Sequence, residues 1–562
     1  MKKHKKIFCI TAIIVLLLLA VVYITNALRK NNLADETSAD KDHDEHSLSG
    51  DNVNTDVEEG LVRLAADIGQ GNMDIARNAD NYFIALNVFE RLAEIEQTDD
   101  GVSSIVPSLA REWKVSDDGK TYSFTLRDDV CFSDGTPFTA EDVEFSLTRL
   151  LTVPDSEQIA YADMIEGAEE LQKGEAAGLS GIKVIDDYHI DISLKEPFPS
   201  FISMLGTPAC SILSKKSVIA AGDAYGTDIR YIIGTGPYII TENNEKFCRL
   251  EINPLYHGEK PSVKKAEVTV MVSAVMDREF RNGNIDILDL DFLNPGAANY
   301  YTENDEYSDR LIAKDNVDII SLMLNTAIEP LNDVRVRRAI QYAINRQRII
   351  DEVYGGYAVI TDGIVPKGLT GYSEEMQGWL EYDPQKAKDL LKEAGIRRGD
   401  TIELAVSSTA DTAIQEFTAL IQEDLNAVGL NAVTVVYDQD SRLYMRRNGQ
   451  IMAYQFQWLA DYNDPDNFFY TIFGSTDITK KYSSNYADEE TINRIIKARN
   501  ILDFGQRISE YNDIEKKLVI DDAVWVPFFA SKHIFVKGDR INSLTPYWAG
   551  WNDIPLKGIT LK

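Results

Sequence analysis

The stretch that most restricts the fold is a strand, helix, strand succession: Ile402 to Val406, Thr412 to Val428 and Leu430 to Val436. Two strands joined through a helix of that length run parallel, and a parallel pair needs helices packed on its sheet. The chain therefore commits to an α/β architecture here. The next apolar segment, Ala453 to Phe469, begins as another strand, with Tyr454, Phe456 and Trp458 alternating with Gln455 and Gln457, and breaks at Asp464-Pro465. Trp458 and Asp461 are expected at that strand's end. Open α/β sheets bind ligands outside the carboxyl ends of their strands, and a carboxylate beside an indole suits an ammonium group. Asp461 is also well placed to cap a turn, as aspartates before Asn and Pro do, so the residues alone leave both roles open.

The motif Trp458-Leu459-Ala460-Asp461-Tyr462-Asn463-Asp464-Pro465 resembles the W-x-A-D-Y-x-[DE]-P signature of the peptide/nickel solute-binding proteins, extracellular family 5. The resemblance extends along the body. Pro107-Ser108-Leu109-Ala110 through Trp113, Asp118-Gly119, Tyr122, Phe124, Leu126 and Arg127, followed by Phe132-Ser133-Asp134-Gly135-Thr136-Pro137 and Thr139-Ala140-Glu141-Asp142-Val143, is similar to a second conserved block of that family. Gly234-Thr235-Gly236-Pro237-Tyr238 and the Pro330 to Arg337 helix start are further points of likeness. The match runs from about residue 61 to the C-terminus.

The resemblance implies an α/β, two-lobed periplasmic-binding-protein-like fold of type II, in the large three-subdomain cluster C form, with hinged lobes and mixed sheets. A first lobe is expected over 61–320, with an inserted subdomain at roughly 94–212. The second lobe would be 321–525 and carry the ligand motif, and 526–562 would return to the first. It also implies a substrate-binding component of an ABC importer that closes over a peptide, with permease subunits as partners. Asp461 would pair with the ligand ammonium, Trp458, Ala460 and Tyr462 would line the wall, and Gln455 would be a polar contact. Gln455 stands where some oligopeptide binders of the family carry an arginine for the ligand carboxylate, so that contact is not expected in the same form. Nickel-chelate, sugar or haem capture, or a membrane-tethered peptide sensor, are the alternatives.

Composition is that of an ordinary soluble protein and argues against some other classes. At 562 residues, 44% hydrophobic and 26% charged, the chain can bury a large core. A formal net charge of -33 argues against nucleic acid as a partner. No GxSxG or HExxH pattern occurs, and six histidines form no credible catalytic grouping, so an enzyme is not expected, nor a metal site or cofactor. The four cysteines show no CxxC spacing; Cys210 and Cys248 are a weak candidate for pairing. His189 alternates with Ile190 and Ile192 and should face solvent.

The N-terminus, residues 1–28, places Lys2, Lys3, Lys5 and Lys6 before an apolar run from Ile7 to Ile24, close to the ~20 residues that span a bilayer. It reads as a signal anchor that leaves the body outside the cell, tethered to the membrane and monomeric. Cleavage after Thr25-Asn26-Ala27, giving a secreted form, is the alternative. Residues 29–60 are acidic and poor in apolar anchors, the composition of a disordered tether. His43 and His46 within it have ligand chemistry but no expected preorganised geometry.

Overall fold

A computed structural model describes residues 58–67, 69–78, 81–97, 103–397, 400–550 and 554–562. The expected N-terminal anchor and nearly all of the acidic tether, with His43 and His46, lie outside the described residues. Among the described residues no helix is long and apolar enough to cross a membrane.

The strand, helix, strand succession folds as its pattern dictates. Thr401–Ser407 and Asn431–Tyr437 pair in parallel from Thr401↔Asn431 to Ser407↔Tyr437. The helix Thr412–Ala427 between them is capped by Asp411, whose side chain accepts from the Ile414 N–H at 2.8 Å. The motif strand Ala453–Leu459 lies parallel to Thr401–Ser407 and antiparallel to Asp318–Leu324, with Asp318 opposite Leu459 and Leu324 opposite Ala453. Asp318–Leu324 is buried along its whole length, as a strand covered on both faces must be.

One long strand, Trp525–Lys537, joins this sheet to the rest of the body. Its N-terminal part pairs with Asp318–Leu324 and Ala358–Ile360. Its C-terminal part pairs with Ile287–Asp289 and Leu311–Asp315. The apolar run 523–529 predicts only the beginning of this strand, which continues through Lys532 and His533. Both points where the chain was expected to pass between lobes, near 321 and near 526, fall inside these two paired strands. Main-chain hydrogen bonds thus hold the chain at both points.

Away from this sheet, Leu61–Ala66, Lys265–Val270, Phe247–Ile252 and Tyr238–Asn243 form a four-stranded sheet in that order. Ala110–Val115, Thr121–Leu126, His189–Ser193 and Ile182–Asp186 form another. The second has its own hydrophobic core, built on Tyr122, Phe124, Phe132, Phe138 and Phe201 and drawn almost wholly from residues 76–212. The helix Ala140–Thr152 that covers it carries the expected capping box of Thr139 and Asp142.

Gly234 must be glycine because a Cβ there would stand 1.9 Å from the Val88 carbonyl oxygen; that close approach explains the GTGPY turn. Two details depart from the sequence reading and one agrees with it. Helical spacing of Ile84, Val88 and Leu92 predicts a helix over Asn81–Leu92, but it is only Phe83–Val88, because Phe89 turns extended and Leu92 packs into the 76–212 core instead. Cys210 and Cys248 are both free, since each is buried in a different core cluster. His189 is solvent-exposed as expected, with Nδ1 2.8 Å from Asp186.

Candidate ligand-binding site

The motif strand ends at Leu459, and the next residues turn away over the sheet edge before the helix Asp466–Phe473. The Ala460 N–H donates to the Val317 carbonyl at 2.8 Å, which continues the sheet by one bond and fixes where Asp461 emerges. Asn467, in the first turn of that helix and 1% exposed, then organises the loop. Its Oδ1 accepts from Trp458 Nε1 at 3.0 Å and from the Asp461 N–H at 3.2 Å, while its Nδ2 donates to Asp461 Oδ2 at 3.0 Å. One buried amide thus orients both the indole and the carboxylate. Trp458 is held further by stacking on Phe456, centroids 6.3 Å apart at 11°, and by the edge of Tyr482 at 6.0 Å.

Three aspartates occupy this loop, and their partners differ. Asp464 is 4% exposed and salt-bridged to Arg507 at 2.8 Å. Asp466 is fully buried and meets Arg499 at 2.9 Å, the Tyr462 hydroxyl at 2.9 Å and the Tyr511 hydroxyl at 3.3 Å. Asp461 has no cationic partner among the described residues; Asn467 is its hydrogen-bonding side chain. Surrounding protein raises its pKa to about 6, with the Asn467 hydrogen bond pulling the other way. It keeps part of its surface open. A desolvated carboxylate with an open side and only a neutral partner is arranged to receive a cation.

The walls around Asp461 come from both sides of the fold. Its charge is one of the causes, after burial, that raise the Tyr161 and Tyr482 hydroxyls above their usual range. Tyr161 belongs to the 76–212 core and Tyr482 to the large core under the motif strand. The Tyr161 hydroxyl also feels Tyr82 and Tyr547, and Tyr547 lines a neighbouring cavity of about 760 Å³ with Ile95, Gln97, Lys314, Lys367 and Trp548. That volume lies within the ~300–1,000 Å³ of ordinary ligand pockets. Lys314 is half-buried there, and burial lowers its pKa.

The remaining predicted residues are placed differently. Tyr462 is 7% exposed and reaches into the 76–212 core, so its ring joins the loop to that unit. Beside it, Arg507 donates to Ser200 Oγ at 3.3 Å, and Arg499 stands 4.7 Å over the Phe198 ring. Ala460 is fully buried and contributes through its backbone. Gln455 lies on the opposite face of the strand from Trp458, as period-2 alternation requires, and bonds with Tyr354. Trp458 and Asp461 are therefore brought together, while Gln455 is not. Asn467 was missed by the sequence reading, although an Asn in the first turn after Asp-Pro was a visible signal. Tyr161, some 300 residues upstream of the motif, gave none.

Residues 104–480 match the family model of bacterial extracellular solute-binding proteins, family 5 Middle. The dipeptide-binding protein of Escherichia coli is 31% identical over 417 residues, covering 71% of this chain and 75% of that one. The nickel-binding periplasmic protein of the same organism is 28% identical over 484 residues, covering 81% and 86%. Among solved structures, the ABC transporter-associated periplasmic binding protein DppA of Helicobacter pylori, in complex with peptide STSA, superposes with a TM-score of 0.70 at 25% identity, covering 89% of this chain and 98% of that one. NikA of Brucella suis, in complex with Fe(III)-EDTA, gives a TM-score of 0.78 at 22% identity, covering 89% and 100%, and supports the fold alone. The fold is accordingly the expected two-lobed periplasmic-binding-protein type, and the chain belongs to the bacterial extracellular solute-binding proteins, family 5.

Proposed function

We propose that this chain is the extracytoplasmic substrate-binding component of an ABC importer and takes peptides between its lobes, with the ligand's α-ammonium paired to Asp461. The carrying observation is the contrast within one loop: Asp464 and Asp466 each have an arginine, and Asp461, desolvated beside an indole, has none. Support comes also from the relatives named for dipeptide and for di/tripeptide binding and from the peptide-bound Helicobacter neighbour. Trp458 forms the wall beside the ammonium, Ala460 supplies the backbone link that positions it, and Tyr462 anchors the loop to the opposite unit. Residues 61–320 and 526–562 serve as one lobe and 321–525 as the other, and permease subunits receive the cargo. The N-terminal 1–28 segment tethers the monomer to the membrane.

Relatives named for nickel and haem binding keep a second cargo class in view. An uncompensated carboxylate favours an amine over an anionic chelate, which it would repel. The test is to recover bound peptides from a mixed-peptide pull-down by mass spectrometry and to compare each with its N-acetylated form. Asp461→Ala leaves a buried ammonium unpaired, which costs about 3–5 kcal/mol, so free-amine peptides should weaken by roughly two to nearly four orders of magnitude while acetylated forms change little. Equal losses for both would rule out the ion pair.

A further inference from the structure

The long strand Trp525–Lys537 carries a second polar cluster, away from the motif loop. His533 is fully buried there, its ring stacked on Phe535 with centroids 4.2 Å apart at 18°. Its Nδ1 lies 3.2 Å from the Gly550 carbonyl oxygen, and an N–H at Nδ1 donating to that oxygen turns Nε2 towards the carboxylates. Nε2 stands 2.8 Å from Asp289 Oδ1 and 3.8 Å from Asp291 Oδ2. A ligand atom from each of the three residues lies within 4.8 Å of the others.

Two features set this cluster apart from an ordinary ion pair. Asp289 Oδ2 and His533 Nε2 are buried, and neither has a hydrogen-bond partner. Nε2 and Oδ1 stand within ion-pair distance, yet Oδ2 of the same carboxylate meets no donor. Buried polar atoms are almost always satisfied, and a carboxylate oxygen left without a donor here calls for a further group. Charge says which kind. Asp289 and Asp291 face a single imidazole; the fully buried Asp318 nearby is already held by Ser531 and Gln457, so Asp289 and Asp291 carry the excess.

We propose that Asp289, Asp291 and His533 bind one divalent first-row metal cation, of the Mn2+ to Zn2+ range. Donors around one such ion at ~2.1 Å stand ~3 to ~4.2 Å apart, which the half-exposed Asp291 carboxylate reaches by a small rotation. The Nδ1 link to a backbone carbonyl is the arrangement that fixes a ligating imidazole. One nitrogen and two carboxylates suit Zn2+, Co2+, Ni2+ or Mn2+ better than Ca2+, which takes six to eight oxygens, and Asp291 on the open side leaves water the remaining positions. The ion would cross-link the turn after Ile287–Asp289 to the long strand that joins the two sheets.

The test uses the full chain carrying His43→Ala and His46→Ala, so that the tether contributes no metal. After treatment with a chelator, equilibrium dialysis against Zn2+, Mn2+ and Ca2+ in turn, read by elemental analysis, should give one Zn2+ or Mn2+ per chain and at least tenfold weaker Ca2+ uptake. Asp291→Asn, on the exposed side where folding is not at stake, should weaken uptake at least tenfold, and His533→Gln should abolish it. Co2+ bound in place of Zn2+ should show visible absorption bands that both substitutions remove. No stoichiometric uptake, or uptake that Asp291→Asn leaves intact, would overturn the assignment and leave a simple imidazolium–carboxylate pair.

Discussion

Asp461 and Asp464 stand three residues apart in one loop and are built for opposite ends. Asp464, with Arg507, closes its charge inside the protein and ties the loop to the helix Phe504–Lys516. Asp461 leaves its charge open and is held by an amide that can orient it without neutralising it. The loop teaches that a binding protein needs both kinds: the satisfied pair makes the backbone rigid, so the unsatisfied one can be aimed.

The sharpest way to break this comparison is to exchange the roles energetically. Arg507→Met leaves Asp464 buried without its cation, which costs about 3–5 kcal/mol of folding stability. Asp461→Asn should act in the other direction on the unliganded protein. The Asp461 carboxyl has a folded pKa of about 6, raised above its ordinary value of 3.8 by burial. Its contribution to stability is therefore full below the unfolded value and lost as pH rises through 6, so at pH 7.5 the charge is a burden that Asn removes. Urea denaturation at pH 7.5 should show a lower midpoint for the first variant and an equal or higher one for the second. A large destabilisation by Asp461→Asn would show that the two aspartates do the same job.

The second prediction uses pH to sharpen the same contrast. A free-amine peptide needs Asp461 ionised and its own amine protonated, so affinity should be flat between pH 6 and the amine pKa of ~8 and fall on the acid side about tenfold per pH unit until the bound-state pKa is reached. Isothermal titration across pH 4.5 to 8 measures it. Affinity that stays constant from pH 7 to pH 5 would mean that the carboxylate does not meet the ligand.

Much of this arrangement was legible in the sequence, and the reasons are local. Period-2 alternation at Tyr454, Phe456 and Trp458 placed the indole on one face, and the Asp464-Pro465 break set Asp461 past the strand end. The parallel pair around Thr412–Ala427 followed from length and capping. Where the reading fell short, long-range packing decided. Alternation also put Gln455 on the far face from Trp458, but only the sheet's partners show that this face meets Tyr354 and not the site. Tyr462 looked like a wall residue until the 76–212 core was seen to enclose its ring. The apolar run 523–529 covers only the first part of its strand; Lys532 and His533 continue it because Asp315 and Lys314 pair opposite them.

The smallest expected effect tests the hinge between the two roles. Asn467 touches no ligand in this account and acts only by holding Trp458 and Asp461 in one geometry. Asn467→Leu keeps a side chain of similar size, removes all three hydrogen bonds and leaves the Asp461 N–H and Trp458 Nε1 without that acceptor, an orientation loss of about 1–2 kcal/mol or roughly 5- to 30-fold in affinity. The loss should be larger for free-amine than for N-acetylated peptides, because only the former use the carboxylate that Asn467 aims. Arg507 and Asp464 are not part of this set, so the variant should unfold with a midpoint far nearer the native one than Arg507→Met. If it lost stability like Arg507→Met and bound both peptide forms equally poorly, Asn467 would belong with the closed pair that stiffens the loop, and the orientation of Asp461 would have to come from Tyr161 and Tyr482 across the cleft.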